Sequence, residues 1–279
     1  MINNRRKTLK KLLTVLLSIF VILSLAACSS SNGGSQEEAA EQKDLLARIQ
    51  EAGVITIATE GNWAPWTYHD DSDELVGFDI EVGKAIAAKL GVEAQFVETD
   101  WDAILAGVDS GRFDIACNGV GYTEERAEKY AFTQPYVYTH KVLIVLNDNE
   151  DIKSFEDLAG KKDANTASST YAAIASSYGA EIITVNNFAE TVTLLQQGRA
   201  DATINSEVSF NSYMEAQPDA PIKVVDQSEG DAVVIPVRKN DDSATLVEAI
   251  NNALEELRAS GELAEISIKY FKADNTKAE

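Results

Sequence analysis

The chain has 279 residues and a formal net charge of −21, set by 24 Lys and Arg against 45 Asp and Glu. With 45% apolar residues it can bury a sizeable core, as one large domain or two smaller ones. So acidic a chain has no electrostatic hold on nucleic acid or anionic lipid, because both need clustered cations.

Arg5, Arg6, Lys7, Lys10 and Lys11 precede the apolar run Leu12 to Ala27, and the first acid is Glu37. That order matches the charged and apolar regions of an export signal, and the run is shorter than the roughly 20 residues of a membrane span. Leu25-Ala26-Ala27-Cys28 resembles the lipobox of bacterial lipoproteins. The resemblance implies a signal peptide over 1–27 and a lipid on Cys28, holding the protein on the outer face of the cell membrane. A plain transmembrane anchor with an incidental Cys is the alternative. The polar, Gly/Ser-rich stretch that follows cannot bury anything, and residues 28–51 are expected to form a lipidated flexible tether. With Cys28 acylated, Cys117 is the only free thiol, and in FDIAC it reads as a small buried hydrophobe.

From Val54 onward, β-rich runs alternate with helical patterns. VITIAT (54–59) reads as a strand. Asp79 is placed to N-cap a helix whose apolar face is Val82, Ile86 and Leu90, with Gly91 ending it. VEAQFVE alternates with a period of two, WDAILAGVDSG is a short helix, and FDIAC returns as a strand. A second set runs through KVLIVL (141–146), the capped turn SFEDLAG, a helix in TYAAIASSYG, EIITV, a helix in FAETVTLLQQG, ADATIN, a helix from about Ser206 and IKVVD. VVIPV (233–237) and two closing helices end the chain, the last near Phe271. Repeated strand–helix–strand units with short links predict right-handed crossovers and mainly parallel sheets. No long linker divides the chain; the junctions fall near Tyr136–His140 and Glu229–Val233, so two crossings and a hinge are expected.

Several stretches resemble one family, the bacterial extracellular solute-binding proteins for polar amino acids that serve ABC importers. They are WAPWTYHDDSDELVGFDIEVGKAIAAKLG, WDAILAGVDSGRFDIACNGVGYTEERAEKYAFTQPY with its T-x-x-R and F-[ST]-x-P-Y signatures, GRADATIN and NALEELRASGELAEISIKYF. The likeness covers about residues 52–272, and YGAE, FAET, GRADATIN and QPDAPIKVV resemble the cystine-type branch in particular. The family fold is α/β and two-lobed, of the periplasmic-binding-protein type II, with two hinge strands between lobes. It implies a first lobe of 52–137 with 233–274, a second lobe of 138–232 and a tail of 275–279. The expected partners are an amino acid ligand and the importer's permease subunits, and the expected state is a monomer.

An amino acid ligand carries a carboxylate and an ammonium, and burying either without a partner costs several kcal/mol or more. Arg126, in the T-x-x-R position, is the expected carboxylate clamp, since a guanidinium donates two parallel hydrogen bonds. From spacing alone Arg126 also reads as an exposed first-turn residue beside Glu124 and Glu125. By the resemblance, Gly119 and Gly121 bring loop backbone close to the ligand; otherwise they form an ordinary turn. Gly121 stands where relatives often carry a hydroxyl. Ser168, Ser169 and Thr170 open a helix whose free N–H groups suit an anion, although simple capping needs only one of them. Where the family places an Asp for the ammonium, this chain has Ser206, so the neighbouring Glu207 and the more distant Glu60 become the candidates. Trp63 and Trp101 match aromatic positions that sandwich a ligand side chain, Trp66 reads as core, and Asn118 is placed to hydrogen-bond a polar group.

With only His69 and His140, and no HExxH, GxSxG or P-loop, the sequence supports neither metal nor cofactor chemistry. Two rival functions stand beside capture. One is an enzyme on the same fold, similar to cyclohexadienyl or arogenate dehydratases, with Glu207 or Glu60 as general acid. The other is a surface adhesin.

Overall fold

The computed structural model describes residues 44–278; the segment read as a signal peptide, Cys28 and the stretch to residue 43 lie outside the described residues, as does Glu279. The first described element corrects an expectation. Residues assigned to the tether form a helix, α1 (Leu45–Ala52), N-capped by Asp44, whose side chain accepts from Ala47 N at 2.8 Å. Leu45 and Ile49, four apart, put one apolar edge into the core, and that short stripe is enough to dock the helix.

Strand β1 (Val54–Thr59) follows, then the small meander β2 (Asn62–Trp63), β3 (Thr67–His69) and β4 (Leu75–Val76), and helix α2 (Phe78–Leu90). Val82, Ile86 and Leu90 are buried as the periodicity requires, and Gly91 ends the helix in the left-handed conformation. The N-cap, however, is Gly77, and Asp79 sits inside the first turn. Its carboxylate is fully buried and accepts from Tyr136 Oη at 2.6 Å and from the backbone N–H of Gly119. It therefore ties together the helix, the F-T-Q-P-Y segment and the loop after the next strands. Strand β5 (Glu93–Glu98), helix α3 (Trp101–Asp109), strand β6 (Ile115–Ala116), helix α4 (Glu124–Lys129) and strand β7 (Tyr130–Phe132) complete the set.

The chain then enters the long strand β8 (Val137–Leu146), which passes through a 3-10 turn (Phe155–Leu158) to β9 (Lys162–Asn165), α5 (Thr170–Ser177), β10 (Glu181–Thr184), α6 (Phe188–Gln196), β11 (Thr203–Ser206) and α7 (Glu207–Ala216). Strand β12 (Ile222–Val233) runs back along β8, and β13 (Pro236–Arg238), α8 (Ala244–Ser260) and α9 (Glu262–Phe271) close the chain.

The strands sort into two main sheets, one per lobe. In the first the order is β5-β1-β6-β13-β7, with β5, β1 and β6 parallel and β13 antiparallel to both its neighbours. Its core includes Ile55, Ile57, Ile86, Ile115, Cys117 and Ile235, together with Leu246, Ile250, Leu254 and Leu257 of α8. The second lobe departs from the mainly parallel expectation. Strands β11, β8 and β12 pair antiparallel throughout, while β9 and β10 are parallel and a parallel bridge between Asp163 and Ala202 joins β9 to the residue before β11. Here β8 and β12 pair as two arms of one ribbon, from Ile222 opposite Leu146 to Val233 opposite Val137. At the Val137–Val233 end the ribbon reaches the first lobe: Tyr136 N donates to Val233 O at 3.1 Å and Val234 N to Val120 O at 2.9 Å. These are the two strands between the lobes of the type II periplasmic-binding-protein fold. In the segment expected as a tail, Asn275 O accepts from Tyr138 N at 2.8 Å and Thr276 is buried.

Candidate functional site

Between the two lobes lies a cavity that is partly open to solvent. Both lobes line it. Glu60, Trp63, Trp101, Gly119, Gly121 and Arg126 come from the first, and Asn165, Ser169, Thr170, Tyr171, Asn186 and Asn205 from the second, among others.

Arg126 belongs to α4, a short helix N-capped by Thr123, whose hydroxyl accepts from Arg126 N at 3.1 Å. That cap turns the side chain back over the loop after β6. One guanidinium nitrogen donates to Gly121 O at 2.9 Å and another to Ser168 O, across the cleft, at 3.3 Å. The guanidinium carbon stands 5.4 Å from the centre of the Trp101 ring, a cation–π distance. Burial lowers the Arg126 pKa. Two of its five N–H groups are thus held by neutral carbonyls, and its charge meets no carboxylate in an ion pair among the described residues.

Glu60 is the opposite charge. It follows the last residue of β1, and Asn118 at the end of β6 grips it twice: Asn118 Nδ2 donates to the carboxylate at 2.7 Å, and Glu60 N donates to Asn118 Oδ1 at 2.8 Å. Burial, reinforced by Asp100 and Asp102, pushes the Glu60 pKa up to about 7 against the opposing Asn118 bond. Neither Glu60 nor Arg126 forms an ion pair among the described residues. The cavity therefore holds an unpaired guanidinium and, apart from it, a carboxyl that titrates at about 7 and is charged above that pH.

The loop between them needs glycine at one position above all. Gly119 has φ of +57°, and a Cβ there would lie 2.6 Å from Trp63 Cζ3. The loop consequently lies flat against the Trp63 and Trp66 rings, which stack with centroids 5.4 Å apart. Trp66 is fully buried, while Trp63 faces the cavity and meets Tyr171 edge-on at 6.5 Å.

The lobes are shut on each other. Trp63 Nε1 donates to Asn205 Oδ1 at 3.3 Å, Trp66 Nε1 to Ser206 Oγ at 3.2 Å, and Ser168 Oγ to Asp102. These bonds show what four of the expected residues do. Asn118 does not line the cavity but orients Glu60. Ser168 spends its hydroxyl and carbonyl on cross-cleft bonds to Asp102 and Arg126. Ser206 is fully buried as the N-cap of α7 and accepts from Trp66, and Glu207 opens that helix without lining the cavity. Ser169 and Thr170 do line it, although Ser169 also caps α5, accepting from Ala172 N at 3.1 Å.

Sequence reasoning passed over the amides of the second lobe. Asn165, Asn186, Asn187 and Asn205 all line the cavity. Their signal was visible: three of the four are the last residue of a strand or lie in the turn just after one, where loops of an α/β sheet carry ligand groups. Asn205 ends ADATIN, which was read only as a structural strand, and Asn165 ends β9, a strand the sequence reading did not single out.

The chain matches the family model of bacterial extracellular solute-binding proteins, family 3, over residues 55–273. This chain belongs to that family. Among curated family 3 relatives, a probable amino-acid ABC transporter-binding protein of Haemophilus influenzae is 37% identical over 84% of this chain and 91% of its own length. The L-cystine-binding protein TcyA of Bacillus subtilis is 38% identical over 85% of this chain and 88% of its own. A crystal structure of the L-cystine solute receptor of Neisseria gonorrhoeae, in the unliganded open conformation, is 37% identical with a TM-score of 0.57, covering 83% of this chain and 98% of that one. Among the described residues of this family 3 member, no helix is long and apolar enough to cross a membrane, and no group of three His, Cys, Asp or Glu is placed to hold a metal ion.

Proposed function

We propose that this protein is the substrate-binding subunit of an amino acid ABC importer, capturing a polar amino acid, cystine foremost, and delivering it to the permease. The observation that carries this reading is the pair of unpaired charges, Glu60 and Arg126, in one cavity closed by both lobes. A zwitterion neutralises both at once. Arg126 takes the α-carboxylate, with Ser169, Thr170 and the N-terminal amides of α5 beside it; Glu60 takes the ammonium; Trp63 and Trp101 wall the stem. The closing bodies are 52–137 with 233–274 and 138–232, and the protein acts as a monomer held outside the cell by lipid on Cys28. Cystine is favoured by the names of the relatives above.

A thermal-shift panel on protein beginning at Ser29, stripped of ligand by unfolding and refolding, tests this. A ligand that binds only the native state must raise the melting temperature. Cystine is expected to give the largest shift among cystine and the polar and basic amino acids; no shift with any of them sinks the proposal.

A second reading rests on the Glu60 pKa near 7, which suits a general acid at neutral pH. On that reading the site dehydrates a cyclic hydroxy acid. Prephenate and arogenate with a product assay belong in the same panel, and product formation that is lost in Glu60→Gln would favour this reading over capture.

A further inference from the structure

Asn118 is fully buried, and its carbonyl oxygen is committed to three donors: Glu60 N at 2.8 Å, and the hydroxyls of Thr59 and Thr67 at 3.3 Å each. The Thr67 hydroxyl itself accepts from Gly61 N at 3.1 Å, which leaves its hydrogen for Asn118. A backbone N–H can only donate, so the amide oxygen must face Glu60 N whatever the protonation of the carboxyl. The NH2 is thereby turned to the Glu60 side chain, where it donates to Oε2 at 2.7 Å. Oε1 has no hydrogen-bond partner among the described residues, and it is not one of the buried orphan atoms, so it opens to the cavity that Glu60 lines. A protonated carboxyl accepts best at its carbonyl oxygen. With Oε2 accepting from Asn118, the proton of a neutral Glu60 belongs on Oε1. The titratable groups that bear on this carboxyl are Asp100, Asp102 of α3 and, across the cleft, Tyr171 of α5. The two acids favour the proton, and Tyr171 stays neutral because burial raises its pKa.

We infer that Asn118 is a positioning residue of the ligand site: by holding Oε2 it makes Oε1 of Glu60 the atom for which a proton and the ligand's ammonium compete. Binding then breaks the Oε1–H bond and sends that proton to solvent, and the ammonium takes its place. This rests on the amino acid-capture reading above.

Isothermal titration of the full chain in detergent, at pH 6 in two buffers of different ionisation enthalpy, counts the protons released. The ligand is cystine or, where cystine gives no thermal shift, the amino acid of the panel that gives the largest. Wild type should release nearly one proton per ligand. Asn118→Asp has the same shape, keeps an oxygen for the three donors and sets a second carboxylate oxygen against Oε2. Two carboxylate oxygens so close stay together only with a proton between them, as in a coupled acid pair. That proton is out of the ligand's way, so release should fall at least threefold although Glu60 is intact. If Asn118 merely fills the core, the variant melts lower but releases as much as wild type, and that result overturns the inference. Should Asn118→Asp fail to fold, the wild type decides. In ligand-free full chain with 15N-labelled asparagine, one side-chain NH2 should titrate at about pH 7 and lose that step in Glu60→Gln; the lack of any such amide overturns the inference. Wild type that binds ligand without releasing a proton also overturns it and leaves the capture reading standing. If no amino acid binds, the capture reading and the competition fall together.

Discussion

The pH dependence of ligand affinity follows from Glu60. In the free protein burial and the nearby Asp100 and Asp102 hold its pKa at about 7, against an ordinary 4.5. An ammonium placed against the carboxylate favours the ionised form and draws the pKa back down. A full return to 4.5 corresponds to about 3 kcal/mol, or roughly a hundredfold in affinity, at about 1.4 kcal/mol per pH unit. Below pH 7 the free protein carries a proton on Glu60 that binding must expel, so affinity should rise with pH by up to about tenfold per unit from pH 5 and level off above 7. Glu60→Gln cannot release that proton. Its affinity should be nearly flat over the same range, close to wild type at pH 5 and weaker by about a hundredfold at pH 7.5. Titration calorimetry at pH 6 in two buffers of different ionisation enthalpy reads the proton directly, approaching one released per ligand in the wild type and none in the variant. Parallel pH curves for the two proteins would refute the assignment of Glu60 to the ammonium.

Two further outcomes follow from the same geometry. Arg126→Ala should cost about 2–5 kcal/mol of ligand binding, because the ligand carboxylate would be buried without its cation, while circular dichroism and the ligand-free melting temperature stay near wild type. Asp79, fully buried and with a pKa raised to about 7 by desolvation, binds its proton more tightly when folded than when unfolded. Its contribution to stability is therefore complete below the unfolded pKa near 4 and is lost as pH rises through 7, with a slope of up to about 1.4 kcal/mol per pH unit. Denaturant titrations of wild type and Asp79→Asn should show the difference in stability between the two proteins changing over pH 4–7; a constant difference would mean that Asp79 is ionised throughout.

The first lobe was legible because its elements are locally determined. The apolar stripe Val82, Ile86, Leu90, the alternation around Phe96 and the stop at Gly91 each express a period or a backbone requirement contained in a few residues. The antiparallel pairing of β8 with β11 and β12 was not legible, since the strand runs KVLIVL and ADATIN look alike in either orientation and the partners lie some 60 to 95 residues away in the chain. Asp79 was misplaced for a similar reason: its spacing suits a cap, but two distant donors, Tyr136 and Gly119, claim the carboxylate instead. In the site, Arg126 and the Gly119 loop could be named because a motif surrounds them. The asparagines could not, because whether an amide at a strand end faces a cavity depends on the lobe that closes over it.

Ser206 illustrates how one departure reorganises the rest. With a serine at the position where an acid was expected, the start of α7 carries no charge toward the cavity; its hydroxyl accepts from Trp66 and so joins the closed cleft together. Both charges that suit a zwitterion then belong to the first lobe, Glu60 beyond β1 and Arg126 on α4, whereas the second lobe contributes hydroxyls, amides and helix N–H groups. On the proposed reading an arriving amino acid finds its two charged partners already in place on one lobe and docks there first. The second lobe can gain from closing only through neutral hydrogen bonds and through contacts such as Trp63–Asn205 and Ser168–Asp102, which need no ligand. Ligand favours the closed form only to the extent that it binds that form more tightly. Selectivity among amino acids therefore has to come mainly from the uncharged lining of the cavity rather than from the charges that every amino acid satisfies equally.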